Sequence, residues 1–302
     1  GGIYLAEIER EVVVGYGADT GNGFVRAPYV PADGPNPTDL LFWDEFNTTV
    51  YAAYGQIEFD LTETVEIAFA ARYDREEREV ENQVPNVTNS GLNINLLDEN
   101  FQPAPINPAL ASNPNGIPKR DDTYSQFQPK LTLNWAATDN TNIYGSYGVG
   151  FRSGGFFNRG ITELETQPFQ SEEVTSIELG ISSNPTANSQ INVTYFDAEY
   201  KDKQTTVIVS ADDAMCLKEQ NAKGNVTCSF VRNAGEVSMN GIEFEGMYMP
   251  SDDLTLRLSF GTFDGDYDEY DYNGVDISDK ARLLYAPELT AYLGAEHTSE
   301  MA

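Results

Sequence analysis

Few residues in this chain have types and spacing that could do chemistry, and they are scattered. Histidine occurs once, at His297, and there is no Ser/His/Asp set, Gly-x-Ser-x-Gly elbow or phosphate-cradling glycine loop to go with it. No enzymatic activity, cofactor or metal is expected. Cys216 and Cys228 share one polar segment. A local disulfide there fits an oxidising or cell-surface compartment and contributes roughly 3 kcal/mol by closing a short loop. Two unpaired thiols are the alternative. A metal site is the least favoured, with no histidine nearby and no second cysteine pair. Arg152, followed by Ser153-Gly154-Gly155, offers a planar fork to an anion or a carboxylate. Its structural reading is an inward arginine paired with a neighbour such as Glu178. In the acidic run Asp264–Asp276, Glu269, Asp271, Asn273 and Gly274 mimic half a calcium loop. Lys280 stands where that loop needs a bidentate glutamate, so a solvated acidic loop is expected.

The elements that must hold these residues are strands. From Phe127 to Phe157, Leu131, Leu133 and Trp135 alternate with Lys130, Thr132 and Asn134. After the turn Asp139-Asn140-Thr141, Ile143, Tyr147, Val149 and Phe151 alternate with Asn142, Ser146, Gly148, Gly150 and Arg152. A period of two gives each arm one apolar and one polar face. The same pattern predicts strands over Gly2–Tyr16, Thr48–Leu61, Thr64–Arg78, Ser125–Ala136, Asn142–Ser153, Phe169–Ser183, Gln190–Val209, Arg232–Met249, Leu254–Asp266 and Leu283–His297. Connections alternate without exception between short polar turns and long loops. All short turns then fall at one edge of an antiparallel sheet and all long loops at the other, the asymmetry of outer-membrane barrels. Arg72, Glu178, Glu243, Glu245 and Arg257, opposite the apolar stripes, would line a wet interior.

Composition narrows the class. Forty-eight acidic against 18 basic residues give a net charge of −30, which excludes nucleic acid as a partner. With 40% hydrophobic and 12% aromatic residues the chain is not disordered. No apolar run approaches the length of a transmembrane helix, which leaves a β-barrel open.

Five stretches carry a resemblance. Tyr144–Asn158, YGSYGVGFRSGGFFN, resembles a strand signature of the TonB-dependent outer-membrane receptors, and Phe127–Trp135 is similar to the strand before it. Gln167–Gly180, Ile191–Gln204 and Asn233–Glu245 look like three further strands of that family, in the family's order, although Phe169-Gln170 replaces the usual Tyr and Pro-Glu. The resemblance implies an antiparallel up-and-down transmembrane β-barrel. Residues 1–302 would form about ten strands of a barrel of about 22, with the N-terminal plug domain outside this chain. It implies an outer-membrane receptor that takes up a scarce solute, most often a ferric siderophore, through a plug moved by the TonB complex. Its surroundings would be bacterial outer-membrane lipid and lipopolysaccharide.

Ligand capture in such receptors uses the long outer loops and upper barrel wall. The matching aromatic positions are Phe24, Tyr29, Phe42, Trp43, Phe156 and Phe157, with Arg152 beside them. The charge of −30 favours a neutral or cationic chelate, or a glycan, over a strongly anionic siderophore. A passive porin-like or structural barrel, or a soluble β-sandwich binding module, is the alternative.

Overall fold

The computed structural model describes residues 1–17, 38–83, 96–97, 103–104, 119–157, 168–210, 227–272 and 274–298. Ten long strands carry the fold: β1 (Gly2–Gly17), β2 (Thr38–Asp60), β3 (Val65–Asn82), β4 (Arg120–Thr138), β5 (Thr141–Arg152), β6 (Glu172–Thr186), β7 (Ser189–Ser210), β8 (Thr227–Ser251), β9 (Leu254–Tyr272) and β10 (Leu289–His297). With the two-residue strand Val275–Asp276 they make one eleven-stranded sheet. Each long strand pairs antiparallel with the next in chain order.

Three of the short connections are tight turns at 139–140, 187–188 and 252–253; the fourth is Leu61–Thr64. Polar side chains close them. Thr138 Oγ1 donates to Asn140 Oδ1, and the Asn140 amide donates to the Asn184 carbonyl (both 2.8–2.9 Å), tying one turn to the next. Every longer connection leaves from the opposite edge.

Register puts the apolar stripes in common rows. Ile57, Phe69, Leu131, Tyr147 and Ile177 are consecutive cross-strand partners. One step on, Phe59, Ile67, Leu133, Gly145, Leu179, Tyr195 and Ile242 form the next row. These side chains are bare: Ile57 is 57% exposed, Leu131 46% and Leu179 56%. No second layer covers them among the described residues, so the β-sandwich alternative falls. A soluble domain does not leave a continuous apolar face in water; a barrel wall leaves it for lipid.

The opposite face is polar and pairs within itself. Arg72 forks onto Asp74 with two 2.6 Å contacts, Gln128 donates to the same carboxylate, and Arg257 meets Glu296 at 2.9 Å. The Tyr144 ring lies across Gly180, where a Cβ would come within 2.2 Å of Cζ, and its hydroxyl reaches Thr194 Oγ1 at 2.8 Å.

All ten expected strands are present, but most run further at the long-loop end. β2 begins at Thr38 rather than Thr48, β4 at Arg120 rather than Ser125, and β9 continues to Tyr272. Beyond Tyr51 the outward row turns polar: Glu7, Glu9 and Glu11 of β1 face Thr49, Asn47 and Glu45, which face Glu77, Glu79 and Glu81 of β3. These strands therefore rise clear of the apolar band with their outward face wet, so the outward apolar stripe ends while the hydrogen-bonded ladder continues. Two starts are later than expected. β6 begins at Glu172, and β10 at Leu289, after a 3₁₀ turn at Ser278–Lys280 and a left-handed Tyr285 (φ 59°).

Candidate ligand-binding site

The site lies on the inner wall above the apolar band. There the connection leaving β5 folds inward instead of continuing upward. Gly155–Phe156 pairs with Pro168–Phe169 in a two-stranded ladder separate from the main sheet. This segment lies over the inner wall, and Phe156 packs on Phe46 of β2 and Val80 of β3, with Val12 of β1 at the margin. Close approach requires glycine at position 154. A Cβ there would meet Tyr124 Cε1 at 2.2 Å and the Phe169 carbonyl oxygen at 2.4 Å.

Between the infolded segment and β1–β3 is a cavity of about 520 Å³. Its apolar lining includes Phe46, Phe156, Phe157 and Phe169, and its cations are Arg10, Arg78 and Arg152. The Arg10 guanidinium lies 4.3 Å above the Phe46 ring, and that of Arg120 lies 5.3 Å from the Phe156 ring, each a cation–π contact that fixes an aromatic wall. Arg78 pairs with Glu76 at 2.8 Å, and Lys119 neutralises Glu79 at 2.6 Å. Arg10 and Arg152 form no ion pair with any described carboxylate. Ser153 Oγ is buried there and makes no hydrogen bond within the described residues.

Of the residues marked in the sequence, the structure brings together Arg152, Phe156 and Phe157. Arg152 is opposite Glu172 in the β5–β6 register, whereas Glu178 is opposite Ser146, so the expected Arg152–Glu178 pairing does not form. Trp43 does not join the pocket. It shares the outer face of β2 with Tyr51 and donates from Nε1 to Glu11 Oε1 at 2.8 Å. Phe24, Tyr29 and the Cys216–Cys228 pairing lie outside the described residues, as does the side chain of Phe42. Arg10, Phe46 and Ser153 are pocket-lining positions that sequence reasoning missed. Phe46 is recoverable by parity, since it sits an even number of residues from Val50 and Ala52 on the inward side.

The acidic run forms the end of a hairpin. Asp271 accepts the Gly274 N–H; Asp276 accepts the N–H groups of Tyr270 and Ser278, which hold its carboxyl below the usual range. No cluster of three metal-ligating side chains occurs among the described residues.

Behind the pocket wall, Asp44 is 2% exposed and accepts Asn82 Nδ2 at 2.9 Å. Burial pushes its carboxyl up to about 6, against the pull of the Asn82 hydrogen bond and the Arg120 charge. The unfolded chain gives up this proton near 3.8 while the folded protein keeps it. Stability therefore falls as pH rises from about 4 to about 6 and is level above that. Asp44→Asn is expected to melt together with the wild type near pH 4. At pH 7 it should be more stable by on the order of 3 kcal/mol, read from thermal melts in detergent.

A single antiparallel sheet with a bare apolar outside, a polar inside and a pocket at its long-loop end is the wall of an outer-membrane-type barrel. The chain belongs to the family described as TonB dependent receptor-like, beta-barrel, whose model matches residues 4–300. No curated protein matches it by sequence. Among solved structures it is similar to the ferric yersiniabactin uptake receptor FyuA from Yersinia pestis, with a TM-score of 0.64 at 15% identity over 99% of this chain and 36% of that one. The copper transporter OprC follows with a TM-score of 0.56 at 15% identity, over 90% of this chain and 35% of that one. BauA, the ferric preacinetobactin receptor from Acinetobacter baumannii, gives 0.54 at 17% identity, over 89% of this chain and 32% of that one. At these identities the likeness establishes the fold. The chain spans about a third of each of these proteins.

Proposed function

We propose that residues 1–302 are the ligand-capturing part of the barrel of a bacterial outer-membrane receptor. It takes up a scarce large solute, a ferric siderophore or similar chelate, with energy relayed by the TonB complex through a plug domain. The observation that carries this reading is the pocket formed by the infolded segment against β1–β3, at the edge where the long connections emerge. Aromatic side chains and two guanidiniums without carboxylate partners among the described residues face one concave space there.

The lining also bears on the solute's charge. Taken whole, the chain is strongly anionic, which argues for a neutral or cationic chelate. Locally, Glu76 is neutralised by Arg78, and Arg10 and Arg152 leave an excess of positive charge among the described lining residues. Short-range forks outweigh a diffuse field screened over about 8 Å at physiological salt. An anionic chelate with a flat apolar part fits this lining best.

The test is uptake of ⁵⁵Fe-labelled ferric citrate, a ferric tris-catecholate and a ferric trihydroxamate by cells with and without the full-length gene. Uptake of an anionic chelate should vanish on deletion and on collapse of the proton-motive force. Arg10→Ala and Arg152→Ala should each weaken half-saturation about tenfold, as expected for one lost charge-assisted contact. Uptake indifferent to deletion rejects the receptor reading. Uptake that needs the gene but no energy would make it a passive channel.

A further inference from the structure

We propose that Gln204 and Asn233 are positioning residues: their two amides latch the infolded segment onto the barrel wall and thereby set the aromatic side of the pocket. The functional meaning of this latch rests on the pocket being the capture site; its geometry does not.

The segment bearing Phe156 and Phe157 has no place in the main ladder, since its two-residue strands pair only with each other. Side chains of β7 and β8 anchor its base instead. Gln204 Nε2 donates to the carbonyls of Arg152 (3.3 Å), Ser153 (3.0 Å) and Gln170 (3.0 Å), so one amide grips both the outgoing and returning legs. The Gln204 backbone N–H donates to Glu172 Oε2 at 2.7 Å, where that carboxylate is buried at the start of β6. Asn233 holds the returning leg from its other side. Its Oδ1 accepts the Gln170 N–H at 2.7 Å, and its Nδ2 donates to the carbonyls of Gln170 (2.9 Å) and Ser171 (3.4 Å). Across the segment itself, the Gly154 N–H donates to Ser171 Oγ at 3.3 Å.

The strand geometry that aims these amides is unusual. Gln204 and Asn233 are register partners, and the β7–β8 ladder shifts on both sides of Lys203. Asp202 takes a left-handed conformation (φ 53°), a region that Asp tolerates better than most side chains. Its carbonyl accepts a further bond from Asn233 Nδ2, at 2.7 Å. Bulges of this kind re-aim side chains near functional sites. A primary amide meets the demand at both positions. Gln204 faces three carbonyls and must donate, and Asn233 must both donate and accept. Among the main-chain groups they satisfy, the buried Ser153 carbonyl would otherwise be orphaned as the segment folds in.

The experiment uses the full-length receptor in detergent, with Cys216 and Cys228 replaced by serine and spin labels on Phe157→Cys and Thr48→Cys, on opposite sides of the pocket. Pulsed electron–electron resonance should give one narrow distance distribution. Gln204→Met, which keeps length without donors, should broaden it, as should Asn233→Asp, which keeps only the acceptor. Both variants should remain heat-modifiable barrels at wild-type abundance. In the otherwise native receptor each should raise the half-saturating concentration for the transported chelate about tenfold, with maximal rate within twofold. A distribution that stays narrow in an assembled variant overturns the latch, whatever the ligand. Broadening with unchanged uptake of all three chelates leaves the latch standing and removes the pocket from ligand capture. If neither variant assembles, the amides belong to folding and the positioning role is rejected.

Discussion

Leu131→Arg is expected to eliminate the protein from the outer membrane, while Thr132→Arg, one residue along the same strand, leaves it assembled. Leu131 sits in the row Ile57–Phe69–Leu131–Tyr147–Ile177, near the middle of the apolar band, and its side chain is 46% exposed on the outer face. Arginine on the lipid face near the bilayer midplane costs about 2–4 kcal/mol, and less toward the interfaces. Thr132 points the other way, in register with Ala68 and Ser146 on the polar wall, where a guanidinium stays hydrated. The measurement is the amount of heat-modifiable barrel in outer-membrane fractions. Equal loss for both variants would mean that the two faces are not what register makes them.

The second large effect is at Gly154. Gly154→Val is expected to abolish saturable uptake, a loss of at least 100-fold, with the barrel assembled normally. The added Cβ would overlap both Tyr124 and the Phe169 carbonyl. Neither can yield, because Tyr124 is buried on β4 and Phe169 is tied into the short ladder with Gly155. The infolded segment would have to leave the wall, taking Phe156 and Phe157 with it. β5 and β6 keep their own pairing from Thr141–Ser183 to Arg152–Glu172, so the sheet does not depend on the segment. Normal uptake by Gly154→Val would show that the segment is not part of the capture site.

How far the sequence could be read follows from where its two faces see different media. Within the apolar band, Leu131, Leu133 and Trp135 meet lipid while Thr132 and Asn134 meet water, and that contrast writes a period of two. Above the band the contrast inverts. Glu45 and Asn47 face out while Phe46 between them is buried on the inner side, so the outer ten residues of β2 do not continue the lipid-facing stripe and were not legible. The placement of Trp43 was legible, since it lies an even number of residues from Tyr51 and must share its outward face. Arg152, Phe156 and Phe157 could be found because they cluster in one motif. Arg10 could not, because its partner in the site is 36 positions away on the neighbouring strand. Gln204 and Asn233 fell within recognisable motifs, but their partners are main-chain carbonyls up to 63 positions away, which leave no side-chain signature.

On the proposed function, the overhang of the strands sets where capture takes place. A bilayer crossing takes about ten tilted residues, whereas β2 has 23. Phe46 and Thr48 stand three to five residues above Tyr51, which at about 3.3 Å per residue lifts the pocket on the order of 10 Å beyond the hydrocarbon. On that proposal, a solute held in this pocket sits among the sugars outside the cell, before it has entered the thickness of the membrane at all, and whatever moves it afterwards must carry it down the whole height of the wall.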